Sequence, residues 1–229
     1  MQAQTILIDA DDTLWENNVY FERAIERFYE LLGATDANRA VIRERINEEE
    51  RRIIAEFGYG LLTFEVALQR AFVGLAAHMP PARGIQAIRA LAQEIADEPI
   101  AMLEGVESTL RYLAARHRLV LMTKGDYAEQ TAKLRASGIE PFFERVFVVA
   151  EKHALAYEGA LRQLSAAPEQ SWMVGNSPKS DINPALEAGM NAVLIPHPQT
   201  WVLEHDEVVL RPGRRCLTLP RIAELCEYF

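Results

Sequence analysis

The stretch Thr5-Ile6-Leu7-Ile8-Asp9-Ala10-Asp11-Asp12-Thr13 decides the reading of this chain. Its first four residues form a short β-branched and apolar run, the composition of a strand covered on both faces. Three carboxylates and a hydroxyl follow at once. Acids in that position either close a turn and cap a helix, or they do chemistry. The rest of the chain decides between the two.

From Asn17 to about Glu98 the pattern is helical. Phe21, Ile25, Phe28 and Leu32 recur at helical spacing, as do Ile42, Ile46, Ile53 and Phe57. Phe64, Leu68, Phe72 and Leu75 make a third stripe, and Ile85, Ile88, Leu91 and Ile95 a fourth. Gly33, Gly58-Tyr59-Gly60 and Pro80-Pro81 punctuate them. Beyond Pro99, strands alternate with helices. The strands are expected at Leu119–Thr123, Val146–Val149, Trp172–Gly175, Ala192–Ile195 and Val208–Leu210, and a helix at Tyr127–Ala136 stops at Gly138. The predicted fold is a doubly wound, Rossmann-like α/β core with a largely parallel sheet, made of residues 1–16 and 100–229. An all-α insert occupies residues 17–99.

The chain has 229 residues, 49% of them hydrophobic, and a formal net charge of -9. That is enough for a substantial core without disulfides. The acidic balance argues against nucleic acid or anionic lipid as partners. Cys216 and Cys226 lack metal-ligand spacing and are expected as free thiols. No apolar run approaches a membrane span and no signal-peptide pattern opens the sequence, so a cytoplasmic location is expected.

Ligands of open parallel sheets bind beyond the carboxyl ends of the strands. The residues there are Asp9, Asp11, Asp12 and Thr13 after the first strand and Thr123-Lys124-Gly125 at the second. Lys152 follows the third, and Gly175-Asn176-Ser177-Pro178-Lys179-Ser180-Asp181 ends the fourth. Carboxylates, a hydroxyl, an ammonium and an oxygen-rich loop are thus expected on one sheet edge.

This order resembles the haloacid dehalogenase-like superfamily, whose members are mostly phosphatases. ILIDADDTLW matches its first motif, LVLMTKGD its second, the lysine of VAEKHALAY its third and VGNSPKSDINPALEAGM its fourth. The resemblance spans the chain, and the helical insert lies where the family's common cap domain lies. It implies a small phosphate ester as substrate and Mg²⁺ as cofactor. One oxygen of Asp9 and the main-chain carbonyl of Asp11 would hold the metal together with Asn176 and Asp181. Asn176 stands where the family commonly has Asp; its amide oxygen can coordinate but brings no charge.

The chemistry follows from the residue types. A carboxylate attacks a phosphate anion only if positive charge intervenes, which a hard cation and Lys152 supply. Asp9 is positioned as nucleophile. Asp11 would protonate the leaving oxygen and then activate water against the phosphorylated Asp9. Thr123, the main chain at Lys124 and Gly125, and Lys152 would hold the phosphoryl oxygens. Asp12 reads as structural.

Lysine usage sharpens this. Lys124, Lys133, Lys152 and Lys179 are the only lysines, and all but Lys133 fall in or beside these segments. Lys179 is expected at a solvent-facing loop position. The histidines, at 78, 117, 153, 197 and 205, form no close pair in sequence, and Trp15 is expected to pack at the hinge. Glu48-Glu49-Glu50 with Arg51-Arg52 reads as a solvated helix face.

The alternatives are a haloacid dehalogenase, which needs no acid at position 11, a phosphomutase, and a non-catalytic phosphate-binding or regulatory protein. A phosphonate hydrolase would need a cap lysine, and residues 17–100 contain none.

Overall fold

A computed structural model of the chain describes residues 3–76 and 80–229. The chain divides into two compact units, Met1–Asn18 with Ile100–Phe229, and Val19–Pro99.

The first unit is an α/β sheet of six parallel strands: β1 (Thr5–Ile8), β2 (Arg118–Lys124), β3 (Arg145–Val149), β4 (Ser171–Gly175), β5 (Asn191–Leu194) and β6 (Cys216–Thr218), in the order β3-β2-β1-β4-β5-β6. The run read from sequence as β1 is buried on both faces. Ile6 and Ile8 enter one apolar layer with Leu119, Leu121, Trp172 and Val174. Leu7 enters the other with Val120, Met122 and Met173. Alternation of side chains along each strand produces this two-sided burial. The chain runs from β1 outward to β2 and β3, then crosses back to β4. The strand order therefore reverses between β1 and β4, and a crevice opens at their carboxyl ends.

One expected strand is displaced. Val208–Leu210 is not in the sheet; the sixth strand is Cys216–Thr218, paired with β5 through Ala192↔Cys216. The Val209 amide donates to Asn183 Oδ1 at 2.8 Å, so a side chain takes it in place of a ladder. Asn191 Oδ1 accepts the Arg215 amide at 2.9 Å and sets the register of the true edge strand.

The second unit carries α2 (Asp36–Phe57), α3 (Leu61–Leu75), α4 (Pro81–Asp97) and nearly all of α1 (Asn18–Leu32). Ile25, Phe28, Ile46, Leu68, Phe72 and Ile88 form its core, the stripes expected from helical spacing. Phe57 is the exception, 63% exposed at the end of α2.

The acidic run on α2 departs from a solvated face. Glu49 and Glu50 are both buried. Glu49 is paired with Arg45 at 2.6 Å and Arg52 at 3.2 Å. Glu50 Oε2 has no hydrogen-bond partner among the described residues. Burial, reinforced by Glu22 and opposed by Arg43 and Arg51, pushes its carboxyl up to about 7. The folded chain then keeps a proton that the unfolded chain gives up near 4.5. Stability therefore falls as pH rises through that window. Glu50→Gln is expected to stabilise the fold at about pH 8, by at most about 3 kcal/mol and so with a raised melting temperature, and to change it little at about pH 5. Parallel melts of both proteins check this; a gain independent of pH would contradict it.

Among the described residues no helix is long and apolar enough to cross a membrane. Cys216 and Cys226 are free thiols.

Candidate active site

Asp9 leaves β1 directly into the crevice. Its amide donates to the Val174 carbonyl of β4 at 2.9 Å, which fixes its backbone between the two central strands. The chain then coils tightly, with the Thr13 and Leu14 amides both donating to the Ala10 carbonyl. That turn brings the Thr13 hydroxyl onto Asp9 Oδ2 at 3.0 Å. The same hydroxyl lies 3.4 Å from Asn176 Oδ1, at the end of β4. Asn176 Nδ2 donates to Thr200 Oγ1 at 3.2 Å, while the Thr200 hydroxyl donates to the His197 carbonyl. Because Thr200 can only accept from Asn176, the amide oxygen must face the Thr13 hydroxyl.

Lys152 lies just beyond β3 and is almost fully buried. Its ammonium donates to Asp9 Oδ1 and, at 2.7 Å, to Asp181 Oδ1. Asp181 Oδ2 accepts the Ser177 amide at 2.9 Å. Gly175 makes room for this carboxylate: a Cβ there would lie 2.2 Å from Asp181 Oδ2. Burial first, and the Asp181 charge second, push Asp9 up to about 7 against the pull of Lys152. Burial alone would lower Lys152, but the Asp181 and Asp9 carboxylates outweigh it and hold the ammonium charged. Two carboxylates and one ammonium leave a net negative charge among oxygen donors that include the Asn176 amide. That donor set fits a hard divalent cation.

Asp11 has partners of its own. Oδ1 accepts from Trp15 Nε1 at 2.8 Å and Lys133 Nζ at 2.9 Å, and Oδ2 accepts from Gln130 Nε2 at 2.8 Å. Burial would raise its pKa, but the Lys133 charge and these donors outweigh it and hold the carboxyl below the usual range. Thr123, buried near the end of β2, donates to Gln130 Oε1 at 3.3 Å.

The structure refines several sequence expectations. The Gly125 amide donates to the Val149 carbonyl at 3.2 Å, so it serves the β2–β3 edge rather than an open anion site. Lys124 Nζ is held by Glu204 Oε1 at 2.5 Å and Ser180 Oγ at 2.9 Å. Its charge there outweighs burial and keeps the Glu204 carboxyl low. Ser177 also donates to Glu204 Oε2 at 2.7 Å, so this cluster pins the loop after β4. Lys179 is exposed, and its ammonium donates to the Leu203 carbonyl at 2.7 Å. Trp15 is fully buried and a hydrogen-bond donor to Asp11.

Sequence places Thr13 at the strand end without a role, and it does not single out Gln130, Lys133 or Glu204. For Lys133 a signal existed. It is the one lysine of a lysine-poor chain that lies outside the strand-end segments. Thr13 could have been found from its spacing, four residues past Asp9 in a turn.

Asp12 sits at φ 58°, a left-handed conformation that Asp tolerates. Its carboxylate accepts the Asn17 and Asn18 amides at 2.9 and 3.0 Å and so caps α1. Burial, aided by Asp11 and opposed by those amides and His197, pushes it up to about 6. Asp12, Glu16 and His197 have ligand atoms within 4.8 Å of one another. His197 Nδ1 accepts the Gln199 amide at 3.3 Å and Nε2 faces Glu16 at 3.3 Å, so both ring nitrogens are already engaged within the chain. His153 caps α7 (Ala154–Leu164), and His78 lies outside the described residues.

With this geometry in place, a model of haloacid dehalogenase-like hydrolases matches residues 3–189. The chain belongs to that family. A hydrolase of this family from Xanthomonas campestris, with a solved structure, is 28% identical. It covers 99% of this chain and 90% of its own, with a TM-score of 0.84. A glyceraldehyde 3-phosphate phosphatase from Methanothermobacter thermautotrophicus is 27% identical over 198 residues, 84% of this chain and 85% of that protein. The Bacillus subtilis HAD-hydrolase YfnB, solved bound to magnesium, is 17% identical with a TM-score of 0.69 over 100% of this chain and 99% of its own. The last shows the fold alone, as do dehalogenase structures below 25% identity. This haloacid dehalogenase-like chain is therefore a hydrolase.

Proposed function

We propose that this hydrolase is a Mg²⁺-dependent phosphatase that cleaves a small phosphorylated metabolite through a phosphorylated Asp9. The observation that carries this reading is the second carboxylate. Asp11 is held by its own donors, apart from the Asp9–Lys152–Asp181 cluster. Displacing halide by carboxylate needs no such group; expelling an alkoxide from phosphorus does.

An Asp9 oxygen attacks phosphorus, the ester P–O bond breaks, and the proton carried by the monoester monoanion passes to the departing oxygen by way of the Asp11 carboxylate, which is ionised before the ester binds. Asp11 then takes a proton from water as that oxygen attacks phosphorus, and the Asp9–phosphorus bond breaks. Lys152 stays charged throughout and balances both the carboxylates and the phosphoryl oxygens. Asp9, the Asp11 main chain and Asn176 would hold Mg²⁺, which would supply the remaining positive charge that brings an anionic ester to a carboxylate. Asp181 is read as the residue that orients Lys152, since its two oxygens already serve Lys152 and Ser177. The helical unit is read as the cap that selects the substrate.

A panel of phosphorylated three- to six-carbon metabolites, glyceraldehyde 3-phosphate among them, tests the reading alongside p-nitrophenyl phosphate and a 2-haloacid. Phosphate release that needs Mg²⁺ and stops on chelation is expected. Halide release without phosphate release would replace this reading with dehalogenation.

A further inference from the structure

We propose that Gln130 and Lys133 form a positioning clamp on α6 (Tyr127–Ser137) that sets the Asp11 carboxylate for proton transfer; this rests on the phosphatase reading. The two residues lie three apart on one helix, so both side chains leave the same face. They take different oxygens of the same carboxylate: Gln130 Nε2 holds Oδ2 at 2.8 Å and Lys133 Nζ holds Oδ1 at 2.9 Å. Donors on both oxygens fix the plane of the carboxylate; Lys133 shares Oδ1 with Trp15 Nε1 and adds the only charge among the three donors.

The clamp is itself held. Asp126 caps α6 by accepting the Glu129 amide at 2.9 Å, and the Gln130 amide donates to the Asp126 carbonyl at 3.0 Å. Gln130 is 5% exposed. Gly125, at φ 138°, lies against its side chain: a Cβ there would come within 3.3 Å of both Gln130 Cγ and Nε2. This gives the glycine of the second motif a packing task in place of a donor task. Lys133 also donates to Asn17 Oδ1 at 2.7 Å, which leaves its ammonium little freedom.

Gln130 reaches a second group. An ionised Asp11 requires a donor, so Nε2 must face it and Oε1 must face Thr123, which donates at 3.3 Å. That contact is long and weak, and a phosphoryl oxygen would draw the Thr123 hydroxyl away from it. One side chain thereby sets the second oxygen of Asp11 and holds Thr123 ready.

Leaving-group dependence tests this, because a p-nitrophenolate departs without a proton while an alkoxide does not. In single-turnover measurements, Gln130→Met and Lys133→Met are expected to slow alcohol release from an alkyl phosphate about 10- to 100-fold. Release of p-nitrophenol should change less than about threefold, with Lys133→Arg restoring part of the alkyl rate. The Lys133 side chain is 27% exposed, so its variant keeps the fold even if the buried Gln130 variant does not. Equal slowing of both substrates, or of neither, in Lys133→Met overturns the clamp. Asp11→Asn is run beside them. If it too loses no more on the alkyl ester than on the aryl ester, the phosphatase reading of Asp11 fails. If it loses selectively while the clamp variants do not, only the clamp fails.

Discussion

Asp9→Asn is expected to lower phosphate release by about 10⁴-fold or more, because an amide cannot form the phosphorylated intermediate. The same variant should be no less stable, and in metal-free buffer above pH 7 it should melt higher than the parent. Asp9 is pushed up to about 7 by burial and by Asp181. Its folded pKa lies above the usual carboxylate value, so its charge destabilises the folded chain increasingly as pH rises from about 4 to about 7. A neutral side chain removes that penalty. Loss of activity together with a raised melting temperature would separate chemistry from folding, as expected where a site holds charge against stability. Turnover within tenfold of the parent would remove Asp9 from the role of nucleophile.

Lys152→Met should act on both properties at once. It leaves Asp9 and Asp181, both nearly fully buried, facing each other without their shared cation. Removing one partner of a buried ionic group costs about 3–5 kcal/mol. The loss should be largest above pH 7 and shrink on acidification, where protonating one carboxylate relieves it. Mg²⁺ should restore more of the melting temperature in this variant than in the parent, since a divalent cation can replace the missing charge. Activity should fall even with Mg²⁺, because the metal does not replace the ammonium at the phosphoryl oxygens. Melts across pH, with and without Mg²⁺, check this. A variant as stable as the parent at about pH 8 would show that Lys152 does not balance the cluster.

The sequence by itself determined where along the chain the strands that matter lie and which residues stand at their ends. Four short apolar runs, each followed by polar or charged residues, suffice to place Asp9, Thr123, Lys152 and Asn176 on one sheet edge. Side-chain alternation and parallel pairing leave little choice of edge. The helical stripes of residues 17–98 were equally legible, because burial of one face imposes a period that any sequence must show. The edge strand was not. Val208–Leu210 has strand composition, but an edge is chosen by which backbone amides find partners, and Asn183 and Asn191 decided that from far away in sequence.

Only the tertiary structure decided how charge is shared. Glu49 and Glu50 stand in one charged run, yet both are buried, and only Glu49 is gripped by two arginines. Asp9 and Asp11 are two residues apart, yet one shares Lys152 with Asp181 while the other answers to α6. Residue type fixes what a carboxylate can do. Its partners fix whether it holds a proton, and for Asp9 and Asp11 the lysines among them come from segments more than a hundred residues away.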